Sequence, residues 1–319
     1  MSVKPYVKGI ALFALLSTSQ LLAACTETEE AEPDQPDLES ITTSFEHPET
    51  QQEFRIINAY ELYQNYADEM ERNPDQSQLE VYEQQVIDPI YSDCFEGGEY
   101  VHLADLAIDV RPDNLVKNLA LSEKIDRRAT EISIKEALFK ASNFLPAENE
   151  TTVCVLPASG ASVGGINIGI GKIVLLYHEH FNDQAIRPLI AHEYHHNVWT
   201  EKYINNHAYF TVLDNLIFEG KAVMFEKVLY PNIDFTPVDV TYNQVHWSTI
   251  EDDLGKANTN RSLEILRGGN DLPNSYGYSE GYKMVKSYLD LHPGLKPVEW
   301  TALGSKEIFD GGKYLENYK

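Results

Sequence analysis

The chain has 319 residues and a formal net charge of −25, from 25 Lys and Arg against 50 Asp and Glu. An acidic excess of this size excludes nucleic acid and anionic lipid surfaces as partners, because both demand a basic face. The length suffices for one large domain or two small ones with a real core.

Residues 1–24 read as a secretory signal. Lys4 and Lys8 precede the apolar run "GIALFALLSTSQLL", which is too short and wrongly flanked for a membrane span. The closing "LAAC" resembles the lipobox of bacterial lipoproteins, which implies that Cys25 becomes the first mature residue and carries the lipid. Ordinary cleavage, leaving a free thiol, is the alternative. The mature chain would then have 295 residues, 319 minus 24. Residues 25–50 follow as an acidic tether: Glu27 to Glu39 hold seven acids, two prolines and no Lys or Arg, too little apolar surface to offset the entropy of ordering.

From 51 to 145 the pattern predicts a helical N-terminal region. "FRIINAYELYQNYADEMERN", "SQLEVYEQQVIDPIYSDCF" and "NLVKNLALSEKIDRRATEISIKEALFKASNFL" repeat apolar residues every three or four positions, with "NPDQSQ" and "RPDN" as breaks. Cys94 and Cys154 remain once Cys25 is assigned to lipid. In an exported chain they either form one disulfide or stay as two buried thiols.

The texture changes over the remainder, 146–319. "ETTVCVLPAS" reads as a buried strand, and "GASVGGINIGIGKIVLLY" as a glycine-rich hairpin or edge strand. No GxxxxGK[ST] or strand–GxGxxG–helix order is present, which discounts a nucleotide site. The segment Gly164–Tyr177 would either pair with an extended peptide by strand addition or form an internal strand pair. Further helices are expected over "LIAHEYHHNVW", "YFTVLDNLIFEGKAVMFEKVLY", "VTYNQVHWSTIEDDL" and "SEGYKMVKSYLDLH", with a short turn at "SKEIFD". The fold class is therefore α+β, predominantly helical, with one small central sheet.

"HEYHH", residues 192–196, carries the chemistry. On a helix His192 and His196 lie one turn apart on one face, so both imidazoles can reach one ion. Glu193 lies beside that face, placed to take a proton from water at an open coordination position. The apolar flanks Leu189, Ile190, Ala191 and Val198 bury this helix, and buried ionisable groups need a partner such as a metal. The alternative is a satisfied structural cluster. His195 is offset from the ligand face, which suits a supporting or surface role rather than coordination.

A catalytic zinc needs a third protein ligand. The extended HExxHxxGxxH pattern fails, because positions 199 and 202 are Trp and Lys. His207 lies in a polar turn. Glu219 in "LDNLIFEGKA" is the better candidate: 22 residues, 197–218, separate it from His196, and apolar neighbours argue against an exposed carboxylate.

"HEYHH" followed by "LDNLIFEG", with the later "YGYSEGYKMVKSYL" and "SKEIF", resembles the bacterial family described as predicted zinc-dependent proteases, a gluzincin-like group of undefined substrate. The resemblance spans most of residues 50–310. It implies a zincin-like catalytic region over 146–319, one Zn2+ per chain on His192, His196 and Glu219, and acid–base catalysis by Glu193. An oxyanion donor is also needed, with Tyr278, Tyr282 and His246 as candidates and Tyr278 preferred because glycines flank it. Asp214 either orients a ligand histidine or is an ordinary helix acid. The expected function is a lipid-anchored zinc metallopeptidase acting on peptide or protein. The alternatives are a non-catalytic zinc-stabilised binding lipoprotein and a zinc hydrolase of a non-peptide amide.

Overall fold

The computed structural model describes residues 37–161, 163–206 and 209–318. The signal segment, Cys25 and His207 lie outside the described residues. Residues 36–319 form one compact unit, α+β and predominantly helical, around a five-stranded sheet of order β1-β2-β3-β5-β4.

Two of the strands come from the part of the chain expected to be tether and helix. β1 (Thr42–Glu46) pairs antiparallel with β2 (Glu53–Ile57), and β2 runs parallel to β3 (Thr151–Pro157). All of β1, Thr42 to Glu46, had been expected within an acidic tether, and "FRII" at the head of a helix. A five-residue run such as Glu53–Ile57 is too short for its period to separate strand from helix. Pairing with β3, almost a hundred residues away, decides it. Two further expectations are also corrected. "VTYNQVHWSTIEDDL" yields only a short helix, Gln244–Trp247, and a single turn, Glu251–Asp253, while "SKEIFD" is a helix, Ser305–Gly311.

β3 is parallel to β5 (Lys172–Tyr177), and β4 (Gly165–Gly169) closes the far edge antiparallel to β5. Residues alternate between the two faces of a strand, so each face takes its own core. Phe54, Ile56, Val153, Val155, Ile173 and Leu175 pack beneath α2 (Arg127–Phe144) and α3 (Asp183–Tyr203). Ile57, Cys154, Leu156, Val174, Ile166 and Ile168 pack on the opposite face against the helices of residues 63–122. α1 (Asp88–Cys94) belongs to that second layer, and Cys94 forms a disulfide with Cys154 of β3 at a Cα–Cα distance of 6.0 Å.

The helices start where the sequence supplies caps. Asn182 accepts a hydrogen bond from Ala185 N at the head of α3, and Thr211 with Asp214 forms a reciprocal capping box on α4 (Val212–Leu229). α4 packs against both α3 and α5 (Tyr276–Leu291). The crossing of α4 and α5 is backbone to backbone: a Cβ on Gly281 would fall 1.9 Å from Leu216 O, and one on Gly220 would fall 2.1 Å from Gly281 C.

Candidate metal centre

α3 and α4 bring three side chains to one point. His192 Nε2 and His196 Nε2 are 3.1 Å apart, and each is 3.3 Å from Glu219 Oε2. The first pair follows from one helical turn on one face. The third arrives because α4 returns across α3. Side-chain exposure is 9 % for His192, 6 % for His196 and 17 % for Glu219, so the three form a largely enclosed group.

Fit to a metal can be judged on this triangle. Edges of 3.1 to 3.3 Å belong to a tetrahedron with a centre-to-corner distance of about 2.0 Å, which is zinc's reach to nitrogen and carboxylate oxygen. Two ring nitrogens aimed at each other and at a carboxylate form an N2O donor set with a common target. The electrostatics agree. Burial pulls the His192 imidazole down, yet Glu219, Glu226 and Glu193 outweigh it and lift it to about 10. Burial pushes the Glu219 carboxyl up, and the two imidazoles overcome that to hold it well below the usual carboxylate range. The cluster thus favours added positive charge at its centre, and the donor set fits zinc.

Glu193 lies against β4. A Cβ on Gly165 would come within 3.0 Å of Glu193 Cγ and within 3.0 Å of Leu189 Cδ1, so glycine at 165 leaves the space that this side chain fills. Burial, with help from Glu219, raises the Glu193 carboxyl above its ordinary value, while the imidazoles and the Asn167 backbone N–H oppose the rise. A raised carboxyl beside a metal triad has the character of a proton carrier.

Tyr278, on α5, has its phenol held well above 10.0, first by the Glu219 charge, then by burial and by Glu193. Tyr278 thus lies within electrostatic reach of Glu219 and Glu193, on the helix that crosses α4. His246 lies instead against the Tyr276 ring, at 5.8 Å between centroids.

Other candidates take different roles. His195 is fully buried rather than on the surface: its Nε2 is 3.2 Å from Thr301 Oγ1 and its ring stacks on Trp300. Burial keeps it neutral by lowering its pKa well below the ordinary value. Asp214 caps α4 through Thr211. The residue placed behind a ligand is Glu226, fully buried, with Oε2 3.5 Å from His192 Nδ1. Its carboxylate accepts from Thr236 N at 3.0 Å and Thr236 Oγ1 at 2.6 Å. Sequence reasoning missed it, although Glu226 sits seven positions after Glu219, two turns along the same helix face. Tyr100, from the N-terminal part, was also missed. Its phenol is raised first by burial, then by the Glu99 charge and last by Glu219, while Thr200 opposes the rise, and nothing in its local sequence signals a site.

A family model described as "Predicted Zn-dependent protease" (DUF2268) matches residues 120–310. No curated protein and no solved structure matches the chain.

Proposed function

The chain belongs to the family described as predicted Zn-dependent protease, and from that premise we propose that it is a zinc metallopeptidase acting on peptide or protein. The convergence of His192, His196 and Glu219, with Glu193 one residue from the first histidine, is the observation that carries this reading.

His192 Nε2, His196 Nε2 and Glu219 Oε2 would hold one zinc ion per chain. Zinc bound there supplies Lewis acidity, which acidifies water and polarises a carbonyl. Glu193 takes the proton of the attacking water and passes it to the leaving nitrogen; its raised pKa suits both transfers. Tyr278 donates its phenolic hydrogen to the carbonyl oxygen as negative charge develops, since its own ionisation is strongly disfavoured. Along the edge strand the substrate backbone pairs with β4. Leu176 N donates to Gly164 O, so the alternation of an antiparallel ladder turns Gly164 and Ile166 inward and leaves Gly165 and the Asn167 carbonyl facing outward, while the Asn167 N–H is held by the Glu193 carboxylate.

Export and anchoring rest on the sequence: Lys4 and Lys8, the apolar run and "LAAC" support a lipid on Cys25 and a place in the bacterial cell envelope. Among the described residues no helix is long and apolar enough to cross a membrane.

Glu193→Gln tests the mechanism. The variant is expected to retain one zinc per chain while peptide cleavage falls by about 10²–10⁴-fold. Unchanged turnover with zinc retained would remove Glu193 as the base.

A further inference from the structure

The outer edge of β4 is open for only part of its length. Beyond Asn167 the chain's own Tyr100 main chain and the Asn197 and Glu99 side chains occupy it. Ile168 O accepts from Tyr100 N at 2.9 Å, Gly169 O accepts from Asn197 Nδ2 at 2.8 Å, and Ile170 N donates to Glu99 Oε2 at 2.8 Å. The loop 97–100, which supplies the Glu99 and Tyr100 contacts while Asn197 comes from α3, is seated tightly, since a Cβ on Gly98 would lie 2.3 Å from Ile168 O.

Tyr100 extends the block across the groove between β4 and α3. Its main chain is bonded to β4, and its hydroxyl is 3.2 Å from that of Thr200. Thr200 lies one turn beyond His196 on α3 and donates to the His196 carbonyl at 2.7 Å. The Tyr100 ring also faces Phe218, which stacks on His196 at 4.1 Å. Tyr100 therefore bridges β4 to α3 one turn beyond His196. The loop is fastened at its origin as well. It leaves α1 just after Cys94, whose disulfide to Cys154 ties it to β3, and Lys172 Nζ donates to the carbonyls of Ser92 and Asp93.

We infer, resting on the peptidase reading, that the loop 97–100 with Tyr100 walls off one end of the substrate groove, so that this chain cleaves peptide bonds close to one terminus of its substrate. A strand paired with Gly165 and the Asn167 carbonyl would meet Tyr100 beyond Asn167, so any extension must run past Gly165 instead. The wall lies outside residues 120–310, the part matched by the family, so it is supplied by the N-terminal part of this chain.

Two series of fluorogenic peptides share one cleavable core, one lengthened residue by residue at the amino end and the other at the carboxyl end. One series is expected to be cut at every length. In the other, kcat/KM should fall on the order of tenfold or more once the extension passes the wall. Peptide affinity for the inactive Glu193→Gln variant should show the same one-sided dependence. Tyr100→Ala should relieve it, and Glu99→Ala, which frees Ile170 N at the loop's anchor, serves if Tyr100→Ala does not fold. Equal cleavage of both series at all lengths, or internal cleavage of a long chain blocked at both ends, overturns the inference and leaves the peptidase reading intact. Absence of cleavage in both series, with zinc bound, overturns the peptidase reading itself and the inference with it.

Discussion

At the scale of single residues, the centre depends on how each ligand is held as much as on which atoms face inward. A histidine ligand must keep one tautomer and one ring orientation, and a partner at its other nitrogen supplies both. Glu226 faces His192 Nδ1 and is itself fixed by two hydrogen bonds from Thr236. Glu226→Gln keeps the size and removes the charge. Zinc affinity, measured by competition with a chromogenic chelator, is expected to fall roughly 10–100-fold, with little change in melting temperature of the zinc-free protein. Unchanged affinity would make Glu226 only a support for the turn at Thr236. His195 shows the converse: three histidines stand close in sequence, and the one turned away from the His192–His196–Glu219 cluster packs on Trp300.

At the scale of elements, the α4–α5 crossing sets the distance between a ligand and the proposed oxyanion donor. Glu219 rides on α4 and Tyr278 on α5, and the two helices touch where Gly220 meets Gly281. A methyl group on Gly281 would strike the Leu216 carbonyl, a backbone atom that no side-chain rotation can move. Gly281→Ala is therefore expected to cost about 1–3 kcal/mol of stability and to push the helices apart. The informative readout is functional: kcat should fall while zinc stoichiometry holds, because Tyr278 retreats and the α3–α4 ligands stay. A stable variant of full activity would show that the crossing tolerates more space than its contact distances imply.

At the scale of the whole molecule, the N-terminal part is joined to the region that carries the metal centre through the sheet and the disulfide. The Cys94–Cys154 bridge closes a separation of 60 residues and links the second helical layer to a central strand. Loop-closure entropy for that length corresponds to about 4 kcal/mol. The double variant Cys94→Ala/Cys154→Ala is expected to unfold at correspondingly lower denaturant with zinc affinity preserved, because the ligands lie on α3 and α4. Equal midpoints with and without the bridge would show that the sheet alone joins the two parts. A hydrogen-bonded corner makes the same connection: Glu131 Oε1 on α2 accepts from Thr43 on β1, from Asn58 and from Arg127.

Local pattern alone pointed to His192, Glu193 and His196 on one helix and to Glu219 as the carboxylate that meets the two histidines. The spacing of His192, Glu193 and His196 is a local property of one helix, and helical geometry converts it into a shared face without further information. Glu219 was legible for a similar reason, as one carboxylate inside an apolar helical run. A mostly helical α+β fold and a glycine-rich edge strand were also readable from local pattern. Long-range contacts were needed to show that Phe54–Ile57 join the sheet, that Glu226 stands behind His192, that His195 is core, and that Tyr100 bridges β4 to α3. Each of these rests on contact between segments far apart in the chain or on the way two elements cross. Hydrophobic period shows that a residue is buried, but pairing and close packing decide against what.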